Sequence, residues 1–135
     1  MARLHGKDWS TTVNAVEHST TGQTSSFNIS IDTAEVTAAA DTSKEYLEGD
    51  YGWDASIDGY ADFGAGLQDA TDFAMIGAGE QAYVWKADDG AVGATNPSYT
   101  GNVFLTSYSL SAGVGDGVTF SSSYIGKGDI SRNVA

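Results

Sequence analysis

Cysteine is absent from the 135 residues, and proline occurs once, at Pro97. A chain without thiols has no disulfides, no thiolate metal site and no cysteine nucleophile. Long apolar runs are missing too: nothing approaches the roughly 20 residues that a membrane-crossing helix needs. The opening Met1-Ala-Arg-Leu-His-Gly-Lys7 has no apolar stretch of the kind that marks a secretory signal. The expectation is a chain made and used without crossing a membrane. Cations are scarce, with 6 Lys and Arg against 18 Asp and Glu and a net charge of −12. Tight nucleic-acid binding replaces counterions on phosphate with Lys and Arg, so this composition argues against it. An anionic field of this kind repels nucleic acid instead.

What is abundant is glycine, at 17, together with Ser and Thr, and with Tyr and Trp outnumbering Phe. That is the composition of antiparallel strands joined by Gly turns, with some faces left polar. The length suits one domain, residues 1–135, large enough for a real core. The acidity is regional: twelve of the acids fall in residues 41–90, where only Lys44 and Lys86 oppose them. The densest regularity is Asp50-Tyr-Gly-Trp-Asp-Ala-Ser-Ile-Asp-Gly-Tyr-Ala-Asp62, with aspartate at every fourth position. Residues an even number apart share one face of a strand. Asp50, Asp54, Asp58 and Asp62 therefore line an acidic front, and Trp53, Ala55, Ile57 and Ala61 a greasy back. Four like charges in a row repel, which points to a role other than stability.

Along the chain, residues 1–12 read as an extended arm, residues 13–18 as a short strand and residues 20–25 as a polar turn. Phe27-Asn-Ile-Ser-Ile-Asp32 alternates cleanly, with Phe27, Ile29 and Ile31 on one side. Residues 37–49 lose the pattern and read as a long loop inside a hairpin, with Asp41 or Ser43 able to cap a helical turn that Gly49 ends. Residues 65–76 are the helix expectation, with Leu67, Ala70, Ala74 and Met75 near one face and Gly77-Ala-Gly79 as the stop. Strands follow at 81–87, 101–112 and 118–125, the last two joined by the turn Gly113-Val-Gly-Asp-Gly117, and residues 126–135 read as a polar extended tail (from 127 on in the domain reading). The sum is a mainly β fold: an antiparallel β-sandwich or partly open barrel of about seven or eight strands with one flanking α-helix. No internal repeat indicates a solenoid or propeller.

Catalytic and metal-binding patterns fare poorly. Asp54-x-Ser56-x-Asp58-Gly59 imitates the start of an EF-hand calcium loop, with Asp62 at the ninth place, but the closing twelfth place is Ala65 and no amphipathic helix precedes it. Carboxylate pairs of a glycosidase arise by chance among so many acids, and nothing marks a cleft that would desolvate one of them. His5 and His18 have no companion at ligand spacing and read as surface residues. The glycines at 113–117 lack the Lys and helix of a phosphate loop. Trp53, Trp85, Tyr83 and Phe104 read as core or subunit interface, with a sugar-stacking platform as the other possibility. The chain is expected to be no enzyme and to hold no cofactor or metal.

Two segments together resemble a known family: Tyr46-Leu-Glu-Gly-Asp-Tyr-Gly-Trp-Asp-Ala-Ser-Ile-Asp-Gly-Tyr-Ala-Asp62, and residues 99–128, which contain Leu-Thr-Ser…Gly-Asp-Gly-Val-Thr-Phe-Ser. They look like the major tail (tail tube) proteins of long-tailed bacteriophages. With residues 27–36 as the strand before the loop, the likeness touches most of the chain; the first 25 residues match nothing in it. The resemblance implies a sandwich closing into hexameric rings, whose inner strands pair into one barrel and whose rings stack into a tube. It implies a virion structural protein of the phage tail, assembled in the host cytoplasm, with no membrane partner. Its partners would be further copies of itself, tape-measure protein, tail-terminator and tip proteins, and viral DNA in transit during ejection, without tight binding. It also implies that the loop at 37–49 reaches the next ring, making Asp41, Lys44, Glu45, Tyr46, Leu47 and Glu48 candidates for stacking contacts. A duct for DNA must not hold it, so the row Asp50, Asp54, Asp58 and Asp62 is the candidate lumen lining. The rival expectation is a small carbohydrate-binding or adhesive β-sandwich, calcium-assisted on the acidic strand.

Overall fold

A computed structural model describes residues 6–134. After a 3-10 turn at Gly6–Asp8, the elements run β1 (Ser10–Val13), β2 (Val16–Glu17), β3 (Gly22–Glu35), β4 (Tyr46–Tyr60), α1 (Gln68–Ala74), β5 (Gln81–Lys86), β6 (Ser98–Ser111) and β7 (Thr119–Asn133). The strands form one antiparallel sheet in the order β2-β1-β5-β6-β7-β4-β3. It is mainly β with one helix, as the composition predicts.

Seven strands stay in one sheet yet bury a core because the sheet curls over itself. The first half of β3, at one end of the strand order, comes back against β1 and β5 near the other end. Thr11 Oγ1 and Ser25 Oγ share a hydrogen bond of 2.7 Å, and Phe27 meets the Trp85 ring edge-on at 5.2 Å between centroids. Between the two layers lie Val13, Trp53, Ala55, Ile57, Met75, Tyr83, Val103, Phe120 and Tyr124. The sheet does not close by its own hydrogen bonds: β3 pairs with β4 alone.

Several boundaries differ from the sequence reading. Residues 13–18 are not one strand; the chain reverses at Asn14 and Ala15, both with positive φ, and β2 returns along β1. Glu17 fastens this hairpin from Ser10 Oγ at 2.8 Å and the Thr11 amide at 3.2 Å. Burial pushes its carboxyl up, but hydrogen bonds from Ser19, Ser10 and Thr11 outweigh that and hold it below the ordinary value. In the arm expected at 1–12, Ser10, Thr11 and Thr12 belong to β1. The loop expected at 37–49 is shorter, because Tyr46, Leu47, Glu48 and Gly49 already pair in β4. The stretch from Lys127 on, expected as an extended tail, continues β7 and pairs with β6 as far as Asn133.

The Trp53 indole shows why glycine sits where it does in the core. Its Nε1–H donates to the Gly128 carbonyl at 3.1 Å. The ring lies flat on Gly126 of β7 and Gly101 of β6, so that a methyl group built on either would fall inside it. Gly126→Ala is expected to lower unfolding stability by about 1–3 kcal/mol through overpacking. Gly52→Ala, at a site with open space around it, should change stability by less than about 0.5 kcal/mol. Urea unfolding of the two variants side by side checks both.

Candidate functional site

Alternation along β4 splits the acidic segment as the sequence predicts. Trp53, Ala55 and Ile57 are buried, whereas Asp54 and Asp58 point to solvent. Cross-strand register extends that outer surface: Asn28, Asp54, Ile125 and Phe104 stand in one row, and Thr24, Asp58, Ser121 and Ser109 in another. Ser26 and Ser56, paired across β3 and β4, share a hydrogen bond of 3.0 Å on the same face. The outer face of β3-β4-β7-β6 is thus largely a floor of short polar side chains with Asp54 and Asp58, broken by Ile125 and Phe104. Among the described residues no ion pair involves Asp50, Asp54 or Asp58. The cation on this side of β7, Lys127, pairs with Glu80 at 3.3 Å and lies over the Phe104 ring.

The four aspartates do not all belong to the face. Asp50 lies at the β-bulge between the Ile31 and Thr33 pairings. Asp62 falls after β4 has ended, where its Oδ1 accepts from the Gly64 amide at 3.1 Å in the turn leading to α1. Alternate residues on an extended strand are about 7 Å apart, too far for Asp54, Ser56 and Asp58 to wrap one calcium ion. Among the described residues no group of three His, Asp or Glu is placed to hold a metal. The aromatic platform does not form either: Trp53 and Tyr83 are in the core, Trp85 packs on Phe27, and Phe104 is in the outward row.

The residues at the hairpin tip are exposed. Asp41 accepts from the Ala38 amide at 2.7 Å, and the Glu45 amide donates to Thr37 Oγ1 at 2.9 Å. Lys44 lies in the same tip. Tyr46, Leu47 and Glu48 follow in β4. Because β7 pairs with β4 only from Asp54 onward, the hairpin beyond Tyr51 stands out as a two-stranded ribbon.

Sequence reasoning missed a buried polar cluster under α1. The helix is shorter than residues 65–76, and its inward stripe is Gln68, Thr71, Asp72 and Met75 rather than Leu67, Ala70, Ala74 and Met75. Asp72 is fully enclosed, and three donors reach its carboxylate. These are His18 Nε2 at 3.1 Å, the Tyr124 hydroxyl, and Gln68 Nε2 at 2.7 Å. His18, expected at the surface, is fully buried, with its Nδ1 2.9 Å from the Val16 carbonyl oxygen. Both ring nitrogens face oxygen atoms. His5 lies outside the described residues. Gln68 also accepts from the Asp62 amide at 3.1 Å and donates to Tyr108 Oη at 3.1 Å, and that hydroxyl donates to Asp69 at 2.7 Å. The cluster ties the helix to β2, β6 and β7. The one available signal was the polar spacing Gln68, Thr71, Asp72, which is helical and implies a polar inward face.

Burial, reinforced by the Asp72 charge, pushes the Tyr124 hydroxyl well above the ordinary tyrosine value. Burial and the hydrogen bond to Asp69 do the same to Tyr108. The unfolded chain therefore releases protons that the fold retains. Their contribution is complete below about pH 10 and is lost as pH rises further. Thermal unfolding should show a falling midpoint above about pH 10, with a shallower fall in Tyr124→Phe and Tyr108→Phe. Asp72→Ala strands three buried donors and is expected to cost about 3–5 kcal/mol in urea unfolding at neutral pH.

No family model and no curated protein sequence matches the chain. Solved structures do. A chain in the virion of a native gene transfer agent particle superposes with TM-score 0.80 at 14% identity, covering 98% of this chain and 100% of that one. A chain of the SPP1 tail tube gives TM-score 0.76 at 14% identity over 98% of this chain and 80% of that one. A chain in the tail of the empty gene transfer agent particle, of C6 symmetry, gives 0.67 at 14% identity over 85% and 83%. The chain shares their fold.

Proposed function

We propose that this chain is the structural subunit of a phage-type tail tube, in which six copies close into a ring and rings stack into a duct for DNA. The observation that carries the reading is the four-stranded portion β3-β4-β7-β6, read beside the shared fold. Both of its edges are open. Among the described residues β3 has no partner on its far side, and β5 covers β6 only from Ser98 to Val103. An even number of antiparallel strands means that β3 of a second copy can join β6 antiparallel, so the alternation continues around a closed ring. Exposed edges of this length are an aggregation hazard unless something pairs with them, and closure removes both. The sixfold number rests on the C6 tail of the empty gene transfer agent particle.

Layer order supports the free face as the lining of the bore. β1, β2, β5 and α1 all lie on the buried side of the four strands, and a layer that thick would fill a duct if turned inward. The free face therefore lines it. That face carries Asp54 and Asp58; Asp50 sits at the bulge beyond it, and Asp62 is off it. Duplex DNA carries about one negative charge per 1.7 Å of axis, so carboxylates leave it centred and free to slide, while a basic wall would bind it by counterion release. The exposed ribbon tip with Asp41, Lys44, Glu45, Tyr46, Leu47 and Glu48 meets the next ring in this reading. In this reading the protein acts in the virion tail after assembly in the host cytoplasm. Tape-measure and tail-terminator or tip proteins are its other partners, and its role is structural rather than catalytic.

Stacked carboxylates repel within a ring, so salt that screens them should favour assembly. Light scattering of purified protein is expected to rise with added NaCl over tens to hundreds of millimolar; a fall would count against an anionic bore. Asp54→Lys with Asp58→Lys should still give tubes by negative-stain microscopy, but tubes that retain double-stranded DNA in low-salt sedimentation. Well-formed mutant tubes that ignore DNA would place these residues elsewhere.

A further inference from the structure

The inward side of the four strands is apolar where it is covered and stays apolar where it is not. On β3, Phe27 is half-buried by Trp85 and Tyr99, but Ile29 and Ile31, next on the same side, are 44% and 53% exposed. At the other open edge, Ile76 and Gly77 after α1 line a shallow cavity of about 240 Å³ together with Leu105, Thr106, Ser107 and Tyr108 of β6. Phe73 and Ile76, on the outward flank of the helix, are 67% and 59% exposed. One edge thus offers exposed apolar side chains, and the other a recess of mixed lining in which Ile76, Leu105 and Tyr108 supply the apolar part.

Ring closure brings these two together, and the register follows from which stretches are free. On β6 only residues 104–111 lie beyond the β5 pairing. Followed straight across the sheet, Phe104 is level with Asn28 of its own copy. A second copy added without stagger would set its Ile29 and Ile31 against the stretch that β5 already occupies. A stagger toward the start of β3 would run off its end at Gly22. The remaining direction sets Phe104 opposite Asp32 of the added copy, Leu105 opposite Ile31 and Tyr108 opposite Ile29. Four residues, ~13 Å, across four strands, ~19 Å, tilts the strands by about 35°, within the range of closed barrels.

We propose that Ile29 and Ile31 of each copy seat in the recess formed by Leu105, Tyr108, Ile76 and Gly77 of the next, with Phe73 at its rim. The occupant is a second copy of this chain, and the inference rests on the tube reading. The seat extends the sandwich core across the subunit boundary and makes α1 part of the ring joint.

The absence of native cysteine makes the test direct. Ile31→Cys with Ile76→Cys, and separately Ile29→Cys with Ile76→Cys, are assembled and treated with a short thiol-bridging reagent, which reaches farther than a bare disulfide. The expected result on a denaturing gel is a ladder rising to the covalent hexamer, with single-cysteine variants giving no ladder. Tubes visible in the microscope without a ladder from either pair overturn this inference and leave the tube reading intact. Unmodified protein that never forms rings overturns both. As a second measurement, Ile31→Lys alone and Ile76→Glu alone should each raise the concentration needed for assembly about tenfold or more, and the double variant should recover much of that loss. Single variants that assemble like the unmodified protein would also overturn it.

Discussion

A buried carboxylate holds the helix in place, and the architecture around the open edge of the sheet depends on it. Asp72 receives donors from His18 just after β2, from β7 and from its own helix, which costs desolvation that only a full set of partners offsets. A helix this short has little intrinsic stability, and its buried side chains are polar apart from Met75 at its C-terminal end. Polar contacts have direction as well as strength, so they fix the helix in one rotation. That rotation sends Phe73 and Ile76 outward, beside the unpaired stretch of β6.

The sheet supplies the second constraint. Its pleat gives every strand two faces, and one of them is used up by the core. The other face is mostly serine, threonine, asparagine and aspartate from β3 across to β6, interrupted by Ile125, Phe104 and Lys127. In the proposed tube, the two properties required of a duct subunit would come from one alternation: an inward side that coheres and an outward side that repels phosphate. Repulsion among carboxylates opposes assembly, but at roughly 25 cal/mol per Å² of apolar area, joints between copies can exceed it.

Much of the fold was legible because period-2 alternation is a local property. The buried set Trp53, Ala55 and Ile57 and the outward pair Asp54 and Asp58 follow from strand geometry at β4 alone. Reading stopped where pairing partners decide the ends of elements. Nothing local says that Lys127 to Asn133 continue β7, because the partner strand supplying their hydrogen bonds is some thirty residues away. Asp62 kept the four-residue spacing but not the face, since the strand ends at Tyr60 and the turn into α1 redirects the chain. The helix was found and its rotation misread: counting apolar residues assumes that they point inward, which the Asp72 cluster reverses.

By itself the sequence determined a mainly β, antiparallel fold with an acidic segment, one helix and no thiol chemistry, because composition and nearest-neighbour periodicity carry that information. Only the tertiary structure decided that His18 is interior, that the helix turns its apolar flank outward, and that β5 stops short and leaves half of β6 bare. Those outcomes depend on which distant backbone and side-chain groups satisfy one another, and no window along the chain contains both members of such a pair.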